Sequence, residues 1–426
     1  MRRRDFIAGV SGAVSVGIMD KALAAGAPCP PPAFGVGDSS IVQTPCTISS
    51  WQPPYQLPGP GEVVEIGTNT AMSVVPSSEG WGTGSWDYSN FGSYGGGVFV
   101  PVYSEGGAWV ACGTGGHRHP DNHGALLFDF EDATWKRLDN ANGIRRLPSP
   151  HYYSVSQTTG GPYYEISGSV VPAPGHPYTL NNFLPQGQRG SIILVTRAGL
   201  AAESWLSNSV HAFDLHTRVW SRFTTSLAPR TSFEADALYD GLRNRYWLLV
   251  TSQHDYNTVA YLDLNDKSWK TTAAHPNPSS VIGQNYSRCF MHDGLIMRLP
   301  PNGTLWYFDP DNAAAGWGQC VVSGSLPSGS PPFPQNSFVR YSNGNYYHKS
   351  NGSGNRLTRL VPPGNPKTGT WTASAITLSG PTLPAYSPTY GEGQSHYKNL
   401  VYVPSIDCLA WVPGGYSRVF LIRPAA

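Results

Sequence analysis

Three histidines, His117, His119 and His123, stand close together in a stretch reading Gly-Gly-His-Arg-His-Pro-Asp-Asn-His. In an extended segment, side chains at i and i+2 point the same way. His117 and His119 would therefore offer two imidazoles to one divalent cation, and His123 on the returning loop would offer a third. A divalent metal is the cofactor such a set would hold. The same residues also read as a solvated loop bonded to water and backbone, and spacing alone does not separate the two.

Histidine also moves protons near neutral pH. His117, His254 and His396 are candidates for that work, with Tyr256 as a partner acid and Arg197 as a carboxylate clamp. Arg118, His151, Tyr286, Arg288, Tyr390 and Glu392 are candidate ligand-binding residues around them. A polysaccharide lyase needs such a set, because it must neutralise a uronate carboxylate, remove the adjacent proton and protonate the leaving oxygen. A lectin-like face explains the residues equally well, with Tyr152, Tyr153, Tyr163, Tyr164 and Trp205 stacking on sugar rings. The sequence has no serine-centred nucleophile elbow, phosphate loop or dinucleotide fingerprint. It also has no Cys-x-x-Cys pair to suggest structural zinc.

These residues need a scaffold of short strands and many turns. The 426 residues include 48 Gly and 38 Pro, with 12% aromatic and 13% charged residues. That balance suits turns packed on large flat side chains. A formal net charge of +1 gives no field to attract nucleic acid. Five segments share an apolar strand, usually an acidic turn, then a tryptophan: Asp129 with Trp135, Asp214 with Trp220, Asp263 with Trp269, Asp309 with Trp317, and a degenerate Leu360-Val361-Pro362 with Trp371. Successive tryptophans lie 85, 49, 48 and 54 residues apart. About 45–50 residues is the period of four-stranded propeller blades. The long first interval implies an insertion around residues 148–175.

The third unit divides into strands over Phe233–Tyr239, Tyr246–Thr251, Val259–Leu264 and Trp269–Thr272, with turn signals between them. Its Asp and Trp have structural roles: the carboxylate caps the turn between the third and fourth strands, and the indole packs one blade on the next. A sixth unit, Asn399–Val403, Cys408–Val412 and Val419–Arg423, lacks its fourth strand. An open edge there is unfavourable, so Val63–Gly67 is expected to fill it. The fold is thus an all-β, six-bladed β-propeller of four-stranded blades, the last closed by an N-terminal strand. In such blades the loops between second and third strands share a face with the loops joining successive blades. Eight of the twelve histidines map to that face, including His275 and His348.

The motif Gly115-Gly116-His117, with Ala125–Phe130 and Trp135 after it, resembles the kelch repeat of galactose-oxidase-like propellers. The opening Glu65-Ile66, Asn69-Thr70 and Ser73–Pro76, with the ending Tyr402–Cys408, is similar to secreted bacterial kelch-like proteins of undefined activity. The resemblance covers roughly residues 60–424 and implies the kelch-like fold rather than a particular chemistry. Copper-radical oxidation, which the family name suggests, is not expected. It requires a Tyr–Cys cross-link and ligands partly from a domain beyond the propeller, and Cys112 near His117 lies in a strand pattern.

Residues 1–27 read as a signal peptide, with Arg3-Arg4 and Phe6-Ile7 before a glycine-rich apolar run and cleavage after Ala24 or Ala27. The paired arginines resemble the twin-arginine signal. Residues 28–62 form a Pro/Gly-rich leader, and 63–426 form the single propeller domain. The expected location is periplasmic or secreted, with no membrane association after cleavage, and the expected state is a monomer. Of six cysteines, Cys29–Cys46 and Cys289–Cys320 are the expected disulfides, while Cys112 and Cys408 are buried thiols or a bridge between blades. The expected function is binding of a carbohydrate or small polar ligand at the His-rich face. An enzyme at that face, of lyase type or metal-assisted, and a protein–protein scaffold are the alternatives.

Overall fold

The computed structural model describes residues 51–74, 96–112, 125–139, 163–166, 169–172, 181–196, 209–223, 236–249, 259–272, 288–300, 302–328, 338–350, 354–384, 398–414 and 417–425. β1 (Glu62–Ile66) precedes blade one, which is β2 (Val98–Val100), β3 (Ala108–Cys112), β4 (Ala125–Asp129) and β5 (Thr134–Leu138). A hairpin, β6 (Tyr163–Ile166) and β7 (Ser169–Pro172), lies between blades one and two. Blade two is β8 (Asn181–Leu184), β9 (Ser191–Thr196), β10 (Ser209–Asp214) and β11 (Trp220–Phe223). Blade three is β12 (Asp236–Asp240), β13 (Arg245–Leu249), β14 (Ala260–Asp263) and β15 (Ser268–Thr271). Blade four is β16 (Arg288–His292), β17 (Leu295–Leu299), β18 (Trp306–Phe308) and β19 (Trp317–Gln319).

Blade five gains an extra outer strand. β20 (Val321–Ser323) runs parallel to the edge of an antiparallel set formed by β21 (Val339–Arg340), β22 (Tyr346–Lys349), β23 (Arg356–Val361) and β24 (Thr370–Thr377). Blade six is β25 (Leu400–Val403), β26 (Cys408–Trp411) and β27 (Val419–Arg423), completed by β1 in the order β1-β27-β26-β25. The protein is therefore an all-β, six-bladed propeller whose last blade is closed by an N-terminal strand. β2, β8, β12, β16, β21 and β25 are the inner strands, and most neighbours among them pack side by side around the ring.

The acidic turns do what their spacing predicts. Asp129 accepts from Glu131 N at 3.0 Å, Asp214 from His216 N and Thr217 N at 2.9 and 2.7 Å, Asp263 from Asn265 N at 3.1 Å, and Asp309 from Asp311 N at 2.9 Å. Each carboxylate thereby satisfies turn N–H groups that have no strand partner. Blade five has no aspartate there, and Asn365 takes its place, accepting from Lys367 N and Thr368 N. Lys270 also bonds Asp263 at 2.8 Å and holds its carboxyl below the usual range.

The core lies between blades. Trp135 joins Trp109 and Phe128 in a cluster shared with Val403 and Leu421 of blade six. Trp317 packs between blades three and four with Trp247, and Trp371 packs between four and five with Phe290. β3 and β4 are buried at every position, as expected where both faces of a blade meet a neighbour.

Asn69, just past β1, ties the closing segment to blade one. Its amide donates to the Trp135 carbonyl at 3.0 Å and accepts from the Trp135 N–H at 2.7 Å, as a paired strand residue would. Replacing Asn69 with alanine removes both bonds. A loss of about 1–3 kcal/mol, read as a lower urea midpoint with an unchanged slope, is expected.

The expected Cys289–Cys320 bridge is not present. Among the described residues no disulfide joins Cys289, Cys320, Cys112 or Cys408. Cys289 on the inner strand of blade four faces blade three, whereas Cys320 after the outermost strand faces blade five. Three strand spacings, roughly 14 Å, separate the two positions across the sheet, far beyond disulfide reach. Burial pushes the Cys320 and Cys408 thiols up to about 12, so both stay protonated. The Cys29–Cys46 pair lies outside the described residues.

Candidate functional site

Each blade's second strand ends, and its third begins, on one face of the ring, which is also where the inner strands start. His117, Arg118, His119, His123, His151, Arg197, His254, Tyr256, Tyr286, Tyr390, Glu392 and His396 lie outside the described residues. So does the proposed metal set, and no group of three or more His, Cys, Asp or Glu side chains placed to hold a metal occurs among the described residues. Arg288 and His348 are described. Each lies in a strand rather than a loop, and the structure brings the two together in the gap between blades four and five.

Arg288 opens β16 and is 1% exposed. Its Nη1 donates to the Pro327 carbonyl at 3.4 Å. His348 sits in β22, where alternation places Tyr346 and His348 on the side toward blade four and Tyr347 and Lys349 on the other. The His348 ring packs at 5.4 Å from the ring of Phe338. It is 1% exposed, and neither ring nitrogen has a hydrogen-bond partner among the described residues. Burial first, then the cations Arg288 and Lys349, drive its pKa well below the ordinary 6.5. The imidazole is therefore neutral.

His348 forms part of the wall of a crevice of about 580 Å³ that opens on this face. Blade five supplies Ser350, Arg356, Thr358 and Ala375, and the segment after β20 supplies Ser325, Leu326, Pro327 and Ser328. That segment can cross blade five because Gly324 turns it at φ +84°. A side chain at Gly324 would meet the Ala373 carbonyl at 2.0 Å. None of these serines or threonines belongs to a motif recognisable in sequence. Only the alternation Arg356, Thr358, Leu360 in β23 hints that the first two share the face of a buried residue.

The axis presents a different picture. Lys398, before the inner strand of blade six, reaches past blade one to blade two, donating to the Asn181 carbonyl at 2.8 Å and to Asn182 Oδ1 at 3.0 Å. Its own carbonyl accepts from Trp109 Nε1 at 3.1 Å. Asn181 Nδ2 in turn donates to the carbonyls of Gly96 and Cys112, each at 3.0 Å. This network links three blades.

No family model matches the chain, and no curated protein matches it. A solved structure described as "YCF48 bound to D1 peptide" is similar over 88% of this chain and 99% of that one, with 10% sequence identity and a TM-score of 0.35.

Proposed function

We propose that this protein is an exported propeller, carried by the twin-arginine route, that binds a carbohydrate or another small polar ligand on the face where the second strands end. The crevice beside His348 carries this reading. Its volume falls within the ~300–1,000 Å³ range of small-ligand sites. Hydroxyls of Ser325, Ser328, Ser350 and Thr358 both donate and accept, as sugar hydroxyls require. Leu326 and Pro327 add apolar surface for the face of a sugar ring. The Gly115-Gly116-His117 motif supports a kelch-like propeller of the galactose-oxidase kind, an architecture that serves binding proteins and enzymes alike.

Glycan-array screening of the purified chain, followed by calorimetry, tests the reading. Binding to at least one glycan class is expected. Ala375→Trp, an exposed position on the crevice wall, is expected to weaken it about tenfold, near 1.4 kcal/mol. Silence across neutral and acidic glycans, or binding indifferent to Ala375→Trp, would remove the crevice as the site. Turnover of a bound glycan would shift the assignment to an enzyme.

A further inference from the structure

A ligand in this crevice meets charge of one sign. The described lining includes Arg356 and His348, and neither aspartate nor glutamate. Arg356 stands exposed at the start of β23, with no ion-pair partner among the described residues. Behind the wall, Arg288 and Lys349 act as cations on the His348 imidazole, so the potential there is positive. A neutral imidazole offers one donor and one acceptor, and here both are buried without partners among the described residues. A ligand hydroxyl matches such a pair. A planar guanidinium at the entrance matches a carboxylate or sulfate, with two parallel N–H donors.

We infer that the crevice binds an acidic saccharide, with the carboxylate or sulfate on Arg356 and a ring hydroxyl on His348. This assignment rests on the carbohydrate reading above and adds the sign of the ligand's charge to it. Arg288 is a positioning residue in it, since its guanidinium holds the Pro327 carbonyl of the facing wall.

The test compares matched sugars by calorimetry on the full chain: hexuronate trisaccharides against their methyl esters, and a sulfated galactose trisaccharide against its unsulfated form. At least one acidic sugar is expected to bind about tenfold or more tightly than its neutral counterpart. Arg356→Gln is expected to cut that preference to less than about twofold, read as the ratio of acidic to neutral affinity in the same variant. His348→Asn is expected to weaken acidic and neutral sugars together. If that buried substitution prevents folding, the Arg356 comparison still decides, because its side chain is exposed. Equal binding of acidic and neutral sugars would overturn the inference and leave the carbohydrate reading standing. A preference that survives Arg356→Gln would overturn it too, by placing the anion elsewhere. Failure of every sugar would overturn both. The carboxylate and sulfate pairs show which anion is preferred.

Discussion

Placing aspartate at both Val63 and Ile66 is expected to abolish the cooperative unfolding transition of the propeller. β1 pairs with β27 over five positions, from Glu62 opposite Arg423 to Ile66 opposite Val419. Val63 is 2% exposed and packs with Tyr347, Leu409 and Phe420 between blades five and six. Ile66 is 3% exposed and packs with Trp109 and Leu421 between blades six and one. The double variant thus drives a carboxylate into each of two interfaces. An unpaired buried charge costs several kcal/mol, and two such costs approach or exceed the 5–15 kcal/mol that hold a typical domain together. The strand has a second attachment, because Val63 N and Ser379 O lie 2.9 Å apart, as do Ser379 N and Gly61 O. Circular dichroism during urea titration, with dye binding to exposed apolar surface, reads the result. A wild-type midpoint in the double variant would show that blade six stands without β1. Val63→Ile with Ile66→Val, which keeps the volume, is expected to unfold within about 1.5 kcal/mol of wild type.

Lowering the pH from 6.5 to 4 is expected to remove about 3 kcal/mol of stability through His292 alone, with His348 adding in the same direction. His292 ends β16, 2% exposed, with its ring 4.9 Å from the Trp371 ring and Nδ1 2.8 Å from the Tyr346 hydroxyl. Burial lowers its pKa from 6.5 to about 4, with Asp293 opposing and Arg340 reinforcing. The unfolded chain takes up a proton below 6.5 that the folded protein refuses until about 4. Falling pH across that window therefore favours unfolding, and the loss levels off below it. The carboxylates act elsewhere: Asp263, Asp309 and Asp311, held low by Lys270, Lys367 and Arg243, lose their contribution only as pH falls below about 3.8. Urea titrations between pH 7 and 4 should show the slope in wild type. In His292→Gln that slope should be shallower by roughly 1.4 kcal/mol per pH unit. An unchanged slope would mean that His292 titrates normally in the folded protein.

Much of this architecture was legible because the sequence marks its turns. A tight connection between third and fourth strands needs an acceptor for its N–H groups, so Asp129, Asp214, Asp263 and Asp309 recur six to eight residues ahead of tryptophans that meet the next blade. The degenerate fifth unit kept this logic through Asn365, which carries the same acceptor on a different residue type. β20 escaped notice because three residues running parallel to an edge carry no alternation that distinguishes them from a connection. The cysteine pairing failed for a related reason. Separation along the chain says nothing about which face of a blade a side chain occupies, and Cys289 and Cys320 occupy opposite ones.

The site was less legible. Position along the chain suggested that Arg288 and His348 belong to one face, and the structure does bring them together, in strands rather than loops. Their setting was hidden because Ser325, Ser328 and Thr358 carry no signature until the turn at Gly324 folds one segment over another. A lysine as deeply buried as Lys349, with its ammonium 5.3 Å from the Trp411 ring, was equally invisible. Lys349 sits beside Ser350 and looks, in sequence, like the start of a solvated loop.

The pairing of β1 with β27 also sets the order in which the protein can be finished. During synthesis β1 leaves the ribosome before any other strand of the ring, yet its partner is made last. Blades one to five can form as they emerge, whereas the first strand must wait without its neighbour for most of translation. Closing the ring therefore waits until every intervening blade has been made, and it joins strands far apart in sequence, the kind of contact that slows folding most. A chain broken off before Val419 has no seat for β1, so an incomplete product is an unfinished ring rather than a smaller propeller.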